Sequence, residues 1–275
     1  KKYKKILSKS KRSPIIMGIL NITPDSFYDG GKYTNRKDAI SQIDKMIYEG
    51  VDIIDIGAAS SRPFAKEISI KEERKRLEPI LNEINKNYPE IIISIDTYRC
   101  EIAKMAIDSG ATIINDIYGG KYDKSMLSFV AKNNIPYIMM HMKGDPSNMQ
   151  KEIYYDNFED EILDFFKKQK EKLNDMGHTN LIIDPGFGFG KSINQNFKLI
   201  NLIPQIKKIH ENILIGVSRK SMIYKTLSST ASNSLNGTSV LNVICILKGA
   251  NFIRVHDVKE SKEAVKLINL VKNNS

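Results

Sequence analysis

The sequence predicts an α/β protein, a single (β/α)8 TIM barrel with its active site at the C-terminal ends of the strands, on three observations. Short β-branched apolar runs recur at residues 15–20, 51–57, 91–96, 112–115, 135–140, 181–184, 213–217 and 251–255, as buried parallel strands require. Amphipathic segments bearing Lys and Glu lie between them, for example at 36–49, 71–87, 101–109, 152–175 and 194–209, and read as surface helices. The alternation runs through 275 residues with no Pro/Gly/Ser-rich linker, which fits one large barrel. An open doubly wound sheet is the alternative architecture.

A barrel places its chemistry where the strands end and the βα loops converge. Taken in order, the strand exits carry Asn21, then 57–62, Asp96, Asn115-Asp116, Met140-His141, 184–191, 218–221 and 254–257. An isolated Asp, Asn or Ser at such a place can simply cap the next helix, and that reading stays open for Asp96 and Asn115. Eight polar exits together argue for a shared site. The first exit continues as Asn21-Ile-Thr-Pro-Asp-Ser-Phe-Tyr-Asp-Gly-Gly31, long, polar and glycine-terminated, as expected of an active-site lid.

Composition bounds the partners. Hydrophobic residues are 41% and charged residues 27%, so fibrous and largely disordered chains are excluded. The net charge of +10 would nominate nucleic acid, a membrane surface or a small anion. Seven of the 42 bases fall within residues 1–12 without an acid, leaving 35 bases against 32 acids elsewhere. Residues 1–12 are therefore expected to be a mobile basic arm, and the anionic partner a small molecule. Neither nucleic acid nor membrane is expected. Cys100 and Cys245 stand far apart, which suits a reducing cytoplasm better than a disulfide framework, and no apolar run approaches a membrane span.

The candidate chemistry follows from residue types. Asn21, Asp96, Asn115 and Asp184 can exchange hydrogen bonds with a flat heterocycle, and a carboxylate such as Asp184 matches the adjacent N–H donors of an aminopyrimidinone edge. Ser218-Arg-Lys-Ser221 places Lys220 and Ser221 at a helix start, beside Arg254 and His256 from the last strand, where barrels often hold phosphate. Asp184-Pro-Gly-Phe-Gly-Phe-Gly-Lys191 lacks the spacing of a nucleoside-triphosphate loop, and its glycines suit a backbone passing close under an aromatic ligand. His141 is expected to line the site, and His178 and His210 to lie on the surface. Without a Cys/His cluster zinc is disfavoured, whereas Asn21 with substrate phosphates would suit Mg²⁺.

These motifs resemble one family, the dihydropteroate synthases. The resemblance spans about residues 15–271 and rests on Met17-Gly-Ile-Leu-Asn-Ile-Thr-Pro-Asp-Ser-Phe27, Asp55-Ile-Gly57, Ser94-Ile-Asp-Thr97, Ile114-Asn-Asp116, Met140-His-Met142, Asp184 to Lys191, Ser218 to Ser221 and Arg254-Val-His-Asp-Val258. It implies a pterin-binding TIM-barrel domain over 13–275 that condenses 6-hydroxymethyl-7,8-dihydropterin diphosphate with p-aminobenzoate, in folate biosynthesis. By motif, Asp96, Asn115, Met140, Asp184, Phe189 and Lys220 would hold the pterin. Asn21, Ser61, Arg62, Ser221, Arg254 and His256 would take the diphosphate and p-aminobenzoate, with Asn21 on Mg²⁺. Asp25, Phe27, Asp29, Ser61 and Arg62 would close over the site, and a homodimer is implied. The chain departs from the family's usual Gly-Glu-Ser-Thr-Arg-Pro at Ala59 and Ser61, which puts sulfonamide affinity in question. A pterin-binding methyltransferase barrel and a catalytically silent pterin-binding homologue are the alternatives.

Overall fold

A computed structural model of the chain describes residues 2–22, 32–59, 67–145 and 153–274. Its strands are β1 (Ile15–Asn21), β2 (Ile53–Gly57), β3 (Ile92–Asp96), β4 (Ile113–Asp116), β5 (Tyr137–Met140), β6 (Leu181–Asp184), β7 (Leu214–Ile215) and β8 (Phe252–Val255). All pairings are parallel, and the strand order is β6-β5-β4-β3-β2-β1-β8-β7. A bridge between Ile183 and Ile213 joins the two ends, and the Ile183 amide donates to the Asn212 carbonyl at 3.0 Å. The first strand therefore neighbours the last, which excludes the open doubly wound sheet.

The helices are α1 (Lys2–Ser10), α2 (Lys32–Tyr48), α3 (Ile70–Asn87), α4 (Cys100–Asp108), α5 (Met126–Lys132), α6 (Phe158–Asp175), α7 (Ile193–Ile209), α8 (Ser221–Tyr224), α9 (Leu235–Leu247) and α10 (Val258–Asn273). Local chemistry sets several starts. The Ser69 hydroxyl accepts the Glu72 amide to open α3, and Ser192 with Gln195 forms a reciprocal capping box before α7.

Because strand side chains alternate, each strand divides into two sets. Ile54 and Ile56 of β2, Ile93 and Ile95 of β3 and Ile183 of β6 share one core with helix residues such as Leu77, Leu81 and Ile84 of α3. The other set, Ile15, Met17, Ile53, Ile92, Ile113, Ile138, Ile182, Leu214 and Phe252, forms a second core inside the barrel.

That inner core also contains Tyr3 and Ile6, which corrects the expectation of a mobile arm over residues 1–12. Tyr3, Ile6 and Ser10 are buried on one face of α1, and partly buried Leu7 packs against the same core, closing the barrel's amino-terminal end. Lys9 pairs with Asp52, whose other oxygen accepts the Ile16 amide at 2.9 Å, and Lys2 donates to the Pro89 carbonyl. The lysines that suggested an arm are in part its anchors.

Candidate active site

Two residues beyond the inner core, the inward positions change character. Ile53 is followed by Asp55, Ile92 by Ser94 and then Asp96, Ile113 by Asn115, Ile138 by Met140, Ile182 by Asp184, Leu214 by Gly216 and Phe252 by Arg254. The period of two that fills the barrel floor with apolar side chains thus puts polar ones at its mouth.

Asp55 is fully buried, and its Oδ2 accepts from Asn115 Nδ2 at 3.0 Å and from Arg254 Nε at 2.7 Å. Arg254 Nη2 reaches Asp96 Oδ2 at 2.9 Å, so four strands are tied at one level. Asp55 Oδ1 is buried and has no hydrogen-bond partner among the described residues, which leaves one strong acceptor for a ligand donor. Burial pushes the Asp96 carboxyl up to about 7 even though Arg254 pulls the other way, with Asp55 adding to the rise. Burial works against the Arg254 charge as well, but Asp55 and Asp96 outweigh it and hold the guanidinium protonated.

On the opposite wall Asp184 Oδ1 accepts the Gly186 amide at 2.8 Å, and burial raises its carboxyl against the pull of Lys220. Lys220 donates to the Phe187 carbonyl, and its Nζ stands 4.7 Å from the centre of the Phe189 ring. Burial lowers its ammonium to about 8, with Asp184 opposing. Met140 and Phe189 belong to a separate apolar cluster with Ile117, Met142, Tyr98 and Tyr118, a wall distinct from both cores. Gly216 takes the inward position on β7's exit between Arg254 and Lys220, and a Cβ there would meet Arg254 Cβ at 3.8 Å and Lys220 Nζ at 4.0 Å, ordinary contact distances.

The structure therefore places Asp96, Asn115, Met140, Asp184, Phe189, Lys220 and Arg254 around one mouth, with Asn21 at the end of β1 opposite Gly57. His256 is exposed at the rim, where its Nδ1 lies 3.0 Å from Ser218 Oγ. Ser221 begins α8, a helix of only four residues, so its dipole is short and positive charge beside it comes chiefly from side chains. Asp25, Phe27, Asp29, Ser61 and Arg62 lie outside the described residues.

Asp55 was not a candidate in the sequence because it stands inside a strand rather than at an exit; its signal is one acid in Ile53-Ile-Asp-Ile-Gly57 on the inward register. Asp116 is a loop tie, accepting the Tyr118 and Gly120 amides and the Tyr137 hydroxyl. His178 and His210 are corrected from surface residues: Nε2 of each lies 2.7 Å and 2.6 Å from the Ile135 and Leu181 carbonyls respectively, and His178 is buried. A cavity of about 1300 Å³ adjoins the mouth at Asp96, Tyr98 and His141 and extends over Phe165 and Gln169 of α6. Its lining omits Asp184, Lys220 and Arg254, so this space lies beside the convergent polar groups rather than among them.

Among the described residues no group of three His, Cys, Asp or Glu side chains could hold a metal. Asn21, which ends β1, offers a single hard oxygen of the kind Mg²⁺ accepts beside phosphate and water ligands.

Known proteins agree with this geometry. The sequence model for the pterin binding enzymes matches residues 17–256. A dihydropteroate synthase of Clostridium beijerinckii is 41% identical over 259 residues, covering 93% of each chain. The chain belongs to the dihydropteroate synthase family of pterin-binding enzymes. Among solved structures of the family, that of Clostridium difficile, obtained in the presence of pteroic acid, superposes with a TM-score of 0.89 at 36% identity and covers 94% of this chain and 97% of its own. That of Xanthomonas albilineans with 4-aminobenzoic acid superposes with a TM-score of 0.87 at 31% identity, covering 94% and 93%. Family membership and the barrel are thereby shown together.

Proposed function

We propose that the chain condenses 6-hydroxymethyl-7,8-dihydropterin diphosphate with p-aminobenzoate, giving 7,8-dihydropteroate and diphosphate. The observation that carries this is the convergence of Asp55, Asp96, Asn115 and Asp184 with Lys220 and Arg254 at one level of the barrel mouth. The relatives described with pteroic acid and 4-aminobenzoic acid support the same substrates.

In this reading the carboxylates and Asn115 read the polar edge of the pterin, and Met140 and Phe189 pack against its faces. Asp184 faces the aminopyrimidinone donors, and Lys220 supplies a further donor. Arg254, His256 and Ser221 take the diphosphate and the carboxylate end of p-aminobenzoate, while Asp25, Phe27, Asp29, Ser61 and Arg62 close the site. The bond between the pterin methylene carbon and the diphosphate oxygen breaks, and its electron pair leaves with diphosphate. The conjugated ring shares the resulting positive charge, with Asp96 and Asp184 nearby to stabilise it. The aniline nitrogen attacks the methylene and loses its proton to solvent. The side chains position and stabilise, and none acts as nucleophile. Bound Mg²⁺, held by Asn21, would neutralise charge on the diphosphate.

A homodimer is supported by an apolar surface on packed helices α9 and α10, where Val240, Leu247, Leu267 and Leu270 are exposed. Two free buried cysteines accord with the cytoplasm, and no helix among the described residues is long and apolar enough to cross a membrane. A steady-state assay tests the reaction: diphosphate release is expected only when both the pterin substrate and p-aminobenzoate are present. Absence of p-aminobenzoate-dependent turnover rejects it.

A further inference from the structure

Lys191 ends the loop that follows β6, and only 3% of it is exposed. Among the described residues no carboxylate lies in ion-pair contact with its Nζ, and Asp184 acts on it from farther away. Its Nζ lies 2.9 Å from the Gly186 carbonyl oxygen, 3.0 Å from that of Phe189, 3.3 Å from that of His141 and 3.0 Å from His141 Nδ1. Three carbonyls and the imidazole nitrogen are four partners for at most three N–H donors, so every proton on this nitrogen has an acceptor. Burying a lysine so completely is costly: burial lowers its ammonium well below the usual lysine range although the Asp184 carboxylate acts the other way, so the contacts of the nitrogen have to offset that cost.

The geometry here is specific. Gly186 and Phe189 flank Phe187 in the loop, and His141 is the first residue after β5. Gly186 adopts φ +71, and a Cβ there would stand 1.9 Å from the His141 carbonyl oxygen, so the loop is pressed onto the β5 exit backbone. Phe187 is fully buried and offers its carbonyl to Lys220, while the Phe189 ring faces Lys220 Nζ. His141 is itself wedged edge-on against Phe165, with ring centres 5.0 Å apart. One nitrogen thus fixes the two carbonyls on either side of the segment that carries the apolar wall and the Lys220 contact.

We propose that Lys191, held against His141, is the positioning residue that sets the height of Phe189 and of the Phe187 carbonyl beneath Lys220, and so the fit of the pterin ring. This rests on the proposed reaction for its ligand, though not for its geometry. Lys191 reaches the substrate through other residues, so its loss should fall on one substrate rather than on both.

Lys191→Met keeps an unbranched apolar stem, one heavy atom shorter, and removes the donors. It is expected to weaken the calorimetric dissociation constant for the pterin diphosphate about twentyfold, while the KM for p-aminobenzoate at saturating pterin changes less than about threefold. Tyr155→Phe serves as the control, because the Tyr155 hydroxyl ties the same loop from outside by donating to the Gly190 carbonyl at 2.9 Å. That variant is expected to shift pterin binding less than about threefold. Equal losses in Lys191→Met and Tyr155→Phe, or an unchanged dissociation constant in Lys191→Met, overturn the proposal. If Lys191→Met does not fold, His141→Leu carries the same comparison. Should the wild-type chain bind no pterin diphosphate, the reaction is misassigned, and the inference is decided by a crystal structure of Lys191→Met: a displaced Phe189 supports it, and an unmoved Phe189 overturns it.

Discussion

Arg219 holds Asp257 with both prongs of its guanidinium, Nε to Oδ2 at 2.9 Å and Nη2 to Oδ1 at 2.7 Å, and so ties the loop after β7 to the start of α10. Its backbone sits at φ +55, and its amide donates to Thr238 Oγ1 at 3.0 Å. Lys220 follows immediately, and Arg254 and His256 leave β8 just before Asp257. Arg219→Lys keeps the charge and loses the fork. Because both partners are partly exposed, the expected loss of stability is about 1 kcal/mol or less. The expected fall in kcat/KM is about tenfold, since Lys220 loses its support. Steady-state kinetics beside urea denaturation check this, and an unchanged kcat/KM rejects it.

Asp55 is expected to matter for stability as well as for binding. Asp55→Ala leaves Arg254 with Asp96 as its remaining carboxylate and strips Asn115 of its acceptor. Removing one member of a buried pair commonly costs about 3 kcal/mol, and a loss of that order is expected in urea denaturation. Denaturation within about 0.5 kcal/mol of wild type would show that Asp96 alone suffices.

Lys220 makes stability and affinity run in opposite directions with pH. Burial lowers its ammonium to about 8, whereas the unfolded chain keeps the proton to about 10.4. Between those values the folded state binds fewer protons, so this group's contribution to stability improves as pH rises through the window and is least favourable below it. The anionic substrate favours the ammonium, so its affinity is expected to weaken from about pH 7 to about pH 9. Calorimetry, with denaturation of wild type and Lys220→Met at both pH values, reads the two trends. Affinity that strengthens with pH contradicts the assignment.

The plug at the barrel's amino-terminal end can be tested without touching the mouth. Ile6→Ala removes a buried side chain from the inner core and is expected to cost about 2 kcal/mol while leaving KM for both substrates within about twofold. Thermal unfolding and kinetics measure the two quantities, and a stability change below about 0.5 kcal/mol would mean that α1 does not seal the barrel.

Chelation addresses Asn21. Removing Mg²⁺ is expected to weaken binding of the pterin diphosphate about tenfold and to leave binding of the pterin without diphosphate unchanged, with Asn21→Ala blunting the difference. Calorimetry with and without a chelator decides it: equal affinities remove Asn21 from the diphosphate site.

The strands were legible because parallel strands buried on both faces must be β-branched and apolar, and the runs at 53–57, 92–96 and 181–184 met that demand almost residue for residue. Exits such as Asp96, Asn115 and Asp184 were legible for the same reason, as polar residues ending apolar runs. Asp55 was not, because an acid within a strand has no local marker unless the barrel's interior is already known. The helix α1 was obscured by its lysines, although Tyr3, Ile6, Leu7 and Ser10 recur at helical spacing. His178 and His210 stand in polar stretches, and only the fold brings each ring to a carbonyl of a neighbouring segment.

The first strand pairs with the last, Ile15 beside Phe252 and Gly18 beside Val255, and α1 rests on a floor that includes Leu214 and Phe252. These contacts join segments far apart in sequence, so during synthesis α1 and β1 emerge long before β8, although β2 follows β1 closely. The barrel can therefore be sealed only after β8 has left the ribosome, and until then α1 presents an apolar face and β1 one unpaired edge. Long-range closure of this kind slows folding and keeps both surfaces uncovered while every intervening βα unit is made.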